Sequence, residues 1–256
     1  MKIGCISWSY RNEFDSGKYD FFSWFEHCAQ EAKLDGVELW NNHFQSTEDD
    51  YLNKLLQKSE EQRLNIYSVA SKCKFGSFSE SEIKGAKQTL RDWLKITDRL
   101  GVKTLRISLS GENERDPDHQ RIIFESMTDV INEAKYPHIT VGIENKEPSA
   151  VESPMDVALM NDVSEGKLKL ILDNGSIVDK STVYDFMEKT LPYADLVHAK
   201  FFDIDENGQD NVLDYNRIIP IIKSSDYDGF ISIEYDGEGV ASIDVPIIAQ
   251  FLKTRI

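Results

Sequence analysis

Cysteine is scarce in this 256-residue sequence, with only Cys5, Cys28 and Cys73. None forms a C-x-x-C pair and three thiols cannot all be bridged within one chain, which excludes a disulfide framework and fits a reducing compartment. Long apolar runs are missing too. No stretch approaches the roughly 20 residues needed to span a bilayer. The opening MKIGCISWSY carries one lysine and leads straight into a strand-like segment, without the apolar region of an export signal. The expectation is a cytoplasmic protein with no membrane partner. Basic residues are outnumbered, 29 Lys and Arg against 45 Asp and Glu, for a formal charge of −16. That field repels phosphate backbones and anionic lipid, so no nucleic-acid partner is expected. A Gly-rich phosphate turn after the first strand is also absent; Ser7-Trp8-Ser9-Tyr10 stands there instead, which disfavours an open doubly wound nucleotide fold.

What is present is an alternation of short β-branched or apolar runs with longer amphipathic stretches, the pattern of repeated βα units on a parallel sheet. The strand candidates are KIGCISW near the start, GVELW at 36–40, NIYSVAS from 65 and VKTLRIS from 102. ITVGIE from 139, KLILD near 169, LVHAK at 196–200 and GFISIE from 229 follow. Eight strands close a barrel, and a closed (β/α)8 barrel of this length forms around one core. The predicted fold class is therefore α/β, a (β/α)8 TIM barrel, with one domain over residues 1–256. Asp20, Ser79, Ser153 and either Ser181 or Asp179 suit helix N-caps, and Gly101 suits the position just past a helix end.

In a parallel barrel the carboxyl ends of all strands open onto one face, so residues there converge even when distant in sequence. The last four strand candidates end in Glu144, Asp173, His198 and Glu234. Three carboxylates and an imidazole form an O/N set suited to a divalent cation such as Mn²⁺, Co²⁺, Zn²⁺ or Mg²⁺. Without a cation the carboxylates would repel one another. Singly, each is an ordinary cap, surface charge or core imidazole; four in succession, each closing a β-rich run, point to a metal site.

These residues resemble the xylose isomerase-like TIM barrels, a family that includes sugar isomerases, ketose 3-epimerases, inosose dehydratases and endonuclease IV. VHAKFFDIDENG is similar to the family's H-x-K-D segment and its acidic loop, and YDGFISIEYDGEG to its terminal G-x-I-S-I-E-Y strand. VGIENKE resembles its E-N-H stretch and LILDNGS its D-x-x-H. The resemblance is specific over residues 139–240 and architectural before that. It implies that Glu144, Asp173, His198 and Glu234 are metal ligands, with Glu144 and Glu234 also exchanging the substrate proton. Two positions depart: Ser176 stands where many relatives have the His of D-x-x-H, and Lys146 replaces the His of E-N-H. The first weakens an assignment to the ketose epimerases and, with no D-x-H pair after His198, weighs against an endonuclease IV-like three-zinc site.

The reaction class so implied is isomerisation or epimerisation of a sugar, ketose or polyol, phosphorylated or not, by proton abstraction beside a carbonyl through a metal-stabilised enediolate. A lyase of the same family, dehydrating or glycoside-cleaving, and a barrel that binds sugar without turnover are the alternatives. Lys200, in register with His198, is a further catalytic candidate that steadies an oxyanion or a substrate phosphate, or else pairs with Asp203 or Glu234. Trp8, Glu38, His43, Arg106, Asn145, Lys146 and Ser176 are substrate-binding candidates. For Arg106 the competing role is an ion pair with a site carboxylate, for Asn145 the orientation of Glu144, and for His43 a plain loop position. Asp203-x-Asp205-x-Asn207-Gly208 matches the start of an EF-hand loop, but position twelve is Asp214 and a strand precedes it, so calcium is not expected there. A homo-oligomer is compatible with the sequence, which does not fix the number of copies.

Overall fold

The computed structural model describes residues 1–73, 75, 79–109 and 116–256. Its eight strands are β1 (Lys2–Ile6), β2 (Gly36–Trp40), β3 (Asn65–Cys73), β4 (Thr104–Leu109), β5 (Thr140–Glu144), β6 (Leu168–Asp173), β7 (Ala194–Phe201) and β8 (Phe230–Tyr235). They form a closed barrel in sequence order, and the pairings β1–β2, β1–β8, β4–β5, β5–β6 and β7–β8 are all parallel. The helices among the described residues are α1 (Arg11–Asp15), α2 (Phe21–Gln30), α3 (Asp49–Gln62), α4 (Glu80–Arg99), α5 (Pro117–Ala134), α6 (Pro154–Val163), α7 (Val183–Thr190), α8 (Tyr215–Ser224) and α9 (Ala241–Lys253). No described helix is long and apolar enough to cross a membrane.

The chain divides into two compact units, residues 1–68 with 197–256, and residues 69–196. In the first, Phe21, Trp24, Phe25 and Cys28 recur at helical spacing on α2 and are all buried, so one stripe of the helix faces the core. Asp20 caps that helix: its side chain accepts from Ser23 N while Ser23 Oγ accepts from Asp20 N. Inside the first unit the ring of Tyr67 stacks on Phe230, with centroids 4.0 Å apart. Gly4 and Gly36 make room for it, since a Cβ at either would overlap that ring.

In the second unit β4 is buried along its whole length and β5 and β6 nearly so, as expected of parallel strands covered on both faces. Ser79 caps α4 by accepting from Glu82 N, and α4 ends at a left-handed Gly101 (φ 62°), the conformation glycine adopts without strain. Ser153 forms a capping box with Asp156 at α6. Of the two residues offered as the cap near α7, Asp179 takes the role: it accepts from Ser181 N and starts a short 3₁₀ turn, Lys180–Thr182, ahead of the helix. The sequence reading also passed over the 3₁₀ turn Ser7–Tyr10 and α1 after β1, whose short span leaves no room for a periodic pattern.

Candidate metal centre and active site

β7 and β8 supply the first half of the site. Their register sets His198 opposite Ser232 and Lys200 opposite Glu234. Because side chains two residues apart share a face of a strand, both pairs point the same way. His198 Nδ1 lies 2.6 Å from Glu234 Oε2, and Lys200 Nζ donates to Glu234 Oε1 at 2.9 Å. Lys200 also approaches Asp236 at 3.9 Å and sits 4.8 Å from the Trp8 ring centre. The Arg11 guanidinium packs on the same ring at 4.0 Å and donates to Asp236 at 2.8 Å. Trp8 thus carries two cations on its π-surface.

β4, β5 and β6 supply the second half. Arg106 Nη2 donates to Glu144 Oε1 in a buried ion pair. Asp173 is held by the loop that follows it: Oδ1 accepts from Gly175 N at 2.7 Å and Ser176 N at 3.2 Å, and Oδ2 from Ser176 Oγ at 2.6 Å. Ser176, read from sequence as a substrate contact, is therefore a hydrogen-bond donor to Asp173. Asn145 Nδ2 donates to Asp173 O and its Oδ1 accepts from Asp173 N, each at 2.8 Å, so its partner is the β6 backbone instead of the Glu144 carboxylate. Lys146 is exposed.

Two further candidates change role. Glu38 has no exposed surface, and its carboxylate accepts from Ser68 Oγ at 3.2 Å and Ser232 Oγ at 3.1 Å and lies 2.9 Å from His198 Nε2. Enclosed on these sides, it serves the imidazole before it serves any substrate. His43 stacks on Phe14 at 3.9 Å, its Nδ1 lies 3.0 Å from Ser7 Oγ, and burial pushes its imidazole down to about 4. The EF-hand-like stretch spends its carboxylates on its own loop: Asp205 accepts from Asn207 N and Gln209 N, and Asp210 from Phe202 N, Asp203 N, Val212 N and Leu213 N.

Glu144, Asp173, His198 and Glu234 are all buried, and each offers one ligand atom within 4.8 Å of the other three. The donor chemistry fits a divalent cation. His198 stands between two carboxylates, with Glu234 at Nδ1 and Glu38 at Nε2. A buried group of this kind can hold a metal ion.

A family model described as xylose isomerase-like TIM barrel matches residues 27–253. The chain belongs to the xylose isomerase-like TIM barrel family. Within the solved structures, this barrel is similar to D-psicose 3-epimerase from Clostridium cellulolyticum, with a TM-score of 0.78 at 15% identity over 100% of this chain and 98% of that one. It is similar to the probable 3-DHS dehydratase AsbF from Bacillus anthracis, with a TM-score of 0.76 at 16% identity over the full length of both. A sugar phosphate isomerase/epimerase from Parabacteroides distasonis gives 0.77 at 15% identity over 99% and 98%. At such identities the likeness is one of fold. A curated relative, the C-glycoside deglycosidase alpha subunit of Arthrobacter globiformis, is 43% identical over 47 residues, 18% of this chain and 13% of that protein's length.

Sequence reasoning found the four grouped residues of this xylose isomerase-like barrel and, among their supports, the ion pairs of Arg106 with a site carboxylate and of Lys200 with Glu234. Arg11 and Ser68 gave no strand-end signal. Ser232 did, being two residues before Glu234 on one face of β8.

Proposed function

We propose that this xylose isomerase-like barrel is a divalent-metal-dependent isomerase or epimerase of a small sugar, ketose or polyol. The observation that carries the reading is the mutual approach of the ligand atoms of Glu144, Asp173, His198 and Glu234 in a buried group. Isomerisation and epimerisation beside a carbonyl share one hard step, loss of a weakly acidic C–H proton with charge building on oxygen. A divalent ion held by these four residues supplies the Lewis acidity that stabilises such an oxygen. The chain supplies the proton acceptors. Glu234, steadied by Lys200 at 2.9 Å, takes the proton, and Glu144, fixed by Arg106, returns it. Lys200, buried beside Glu234, adds positive charge near the developing oxyanion.

A lyase reaction begun by the same proton abstraction is the second reading. It is supported by the short match to the C-glycoside deglycosidase alpha subunit and by the fold shared with the probable dehydratase. We treat residues 1–256 as one catalytic domain, supported by a strand order that closes on itself. The three cysteines, all buried and unpaired, support a cytoplasmic location.

The test is hydrogen exchange in heavy water. The protein, supplied with Mn²⁺, Co²⁺ or Mg²⁺, is incubated with aldoses, ketoses, their phosphates and inososes, and followed by NMR. Deuterium entering the carbon beside the carbonyl, with an isomer or epimer appearing, is the expected result. Loss of water or of an aglycone selects the lyase. Ligand binding without exchange at any carbon rejects both.

A further inference from the structure

Glu38 lies on β2, 160 residues from His198, yet its Oε2 is 2.9 Å from His198 Nε2, and both side chains are without solvent exposure. A charge buried so completely persists only when well partnered. Its partners are ordered in layers. Ser68 Oγ donates to Oε1, and Ser232 Oγ donates to Oε2. Tyr67 Oη in turn donates to Ser232 Oγ at 2.7 Å, and burial pushes the Tyr67 phenol well up, so it stays a proton donor. The space for Tyr67 comes from Gly4 and Gly36. Five residues of β1, β2, β3 and β8 are thereby committed to one carboxylate that is not among the four grouped ligands.

We infer that Glu38 is the positioning residue of the metal centre: it accepts the Nε2–H of His198 and so leaves Nδ1 as the nitrogen offered to the ion. This rests on the metal-site reading above. The two ring nitrogens of a neutral imidazole are distinct, and the partner of one fixes the function of the other. A carboxylate in that place also fixes the ring's orientation and raises the basicity of the coordinating nitrogen, and losing such a partner costs about 10–100-fold in metal affinity. Gln in place of Glu38 keeps an acceptor oxygen for Nε2–H, while Ala keeps nothing.

The experiment is calorimetric titration of the full chain with Mn²⁺, for wild type, Glu38→Ala, Glu38→Gln and His198→Ala. Expected is a Kd raised about 10–100-fold in Glu38→Ala, with Glu38→Gln recovering most of the loss. A Kd unchanged in Glu38→Ala, where His198→Ala abolishes binding, overturns the inference and leaves the metal site standing. Equal binding by wild type and His198→Ala, or none by either, overturns the site and this inference with it. If Glu38→Ala does not fold, long-range ¹⁵N NMR of the wild type loaded with Mg²⁺ decides: a protonated Nε2 is expected, and a proton on Nδ1 contradicts the assignment.

Discussion

Asn145 and Asp173 clasp one another through two hydrogen bonds of 2.8 Å, the Asn145 amide donating to the Asp173 carbonyl and its oxygen accepting the Asp173 N–H. The residue after β5 thus fixes the backbone at the end of β6, where the Asp173 carboxylate is then held by Gly175 and Ser176. Removing the clasp deletes two buried hydrogen bonds, worth about 0.5–1.5 kcal/mol each. Asn145→Ala is therefore expected to lower the melting temperature by on the order of 10 °C. Scanning calorimetry checks this, and a melting temperature within a degree of wild type contradicts it.

His43 gives the fold an acid-sensitive point. Burial holds its imidazole at about 4 against an ordinary 6.5. Between those values the unfolded chain takes up a proton that the folded chain refuses, so stability falls as pH drops from 6.5 toward 4. Burial shifts His27 in the same direction. His43→Phe keeps a ring against Phe14 and loses the contact with Ser7, costing about 1 kcal/mol at neutral pH. Urea denaturation at a series of pH values is expected to show a shallower acid decline in the variant. Parallel declines would assign the acid sensitivity elsewhere.

Glu234 tests the proton transfer. Glu234→Gln keeps the length of the side chain and an acceptor oxygen toward Lys200 at the neighbouring position of β7. Turnover of a substrate found by heavy-water exchange is expected to fall by about 10²–10⁴-fold at saturating metal, with the circular dichroism spectrum unchanged. Turnover within a few-fold of wild type removes Glu234 from the chemistry.

The barrel was legible because strands buried on both faces are written as apolar runs, and all eight candidates coincide with observed strands to within about two residues, the usual scatter of element boundaries. NIYSVAS covers β3 except for its last two residues, Lys72 and Cys73. The four grouped residues were legible because each closes a strand in chain order. Of their supports, the ion pairs of Arg106 and Lys200 were open from sequence and the others were not. Glu38 reads as an inward residue of GVELW, but nothing local says that its partner is an imidazole 160 positions away. Asn145 and Ser176 sit beside ligands in sequence, yet which neighbour each serves depends on loop geometry after β5 and β6. Trp8 was placed at the end of β1, while the intervening 3₁₀ turn that brings Arg11 onto its ring follows from packing against β8 rather than from any periodicity.

The central claim is that Glu144, Asp173, His198 and Glu234 together hold one divalent ion. Elemental analysis of chelator-stripped protein, reloaded with Mn²⁺ or Co²⁺ and dialysed, measures it directly. One ion per chain in the wild type, lost when His198 or Asp173 is replaced by Ala, is the expected result. No bound ion in the wild type, or the same ion content after each of the four is replaced in turn, contradicts it.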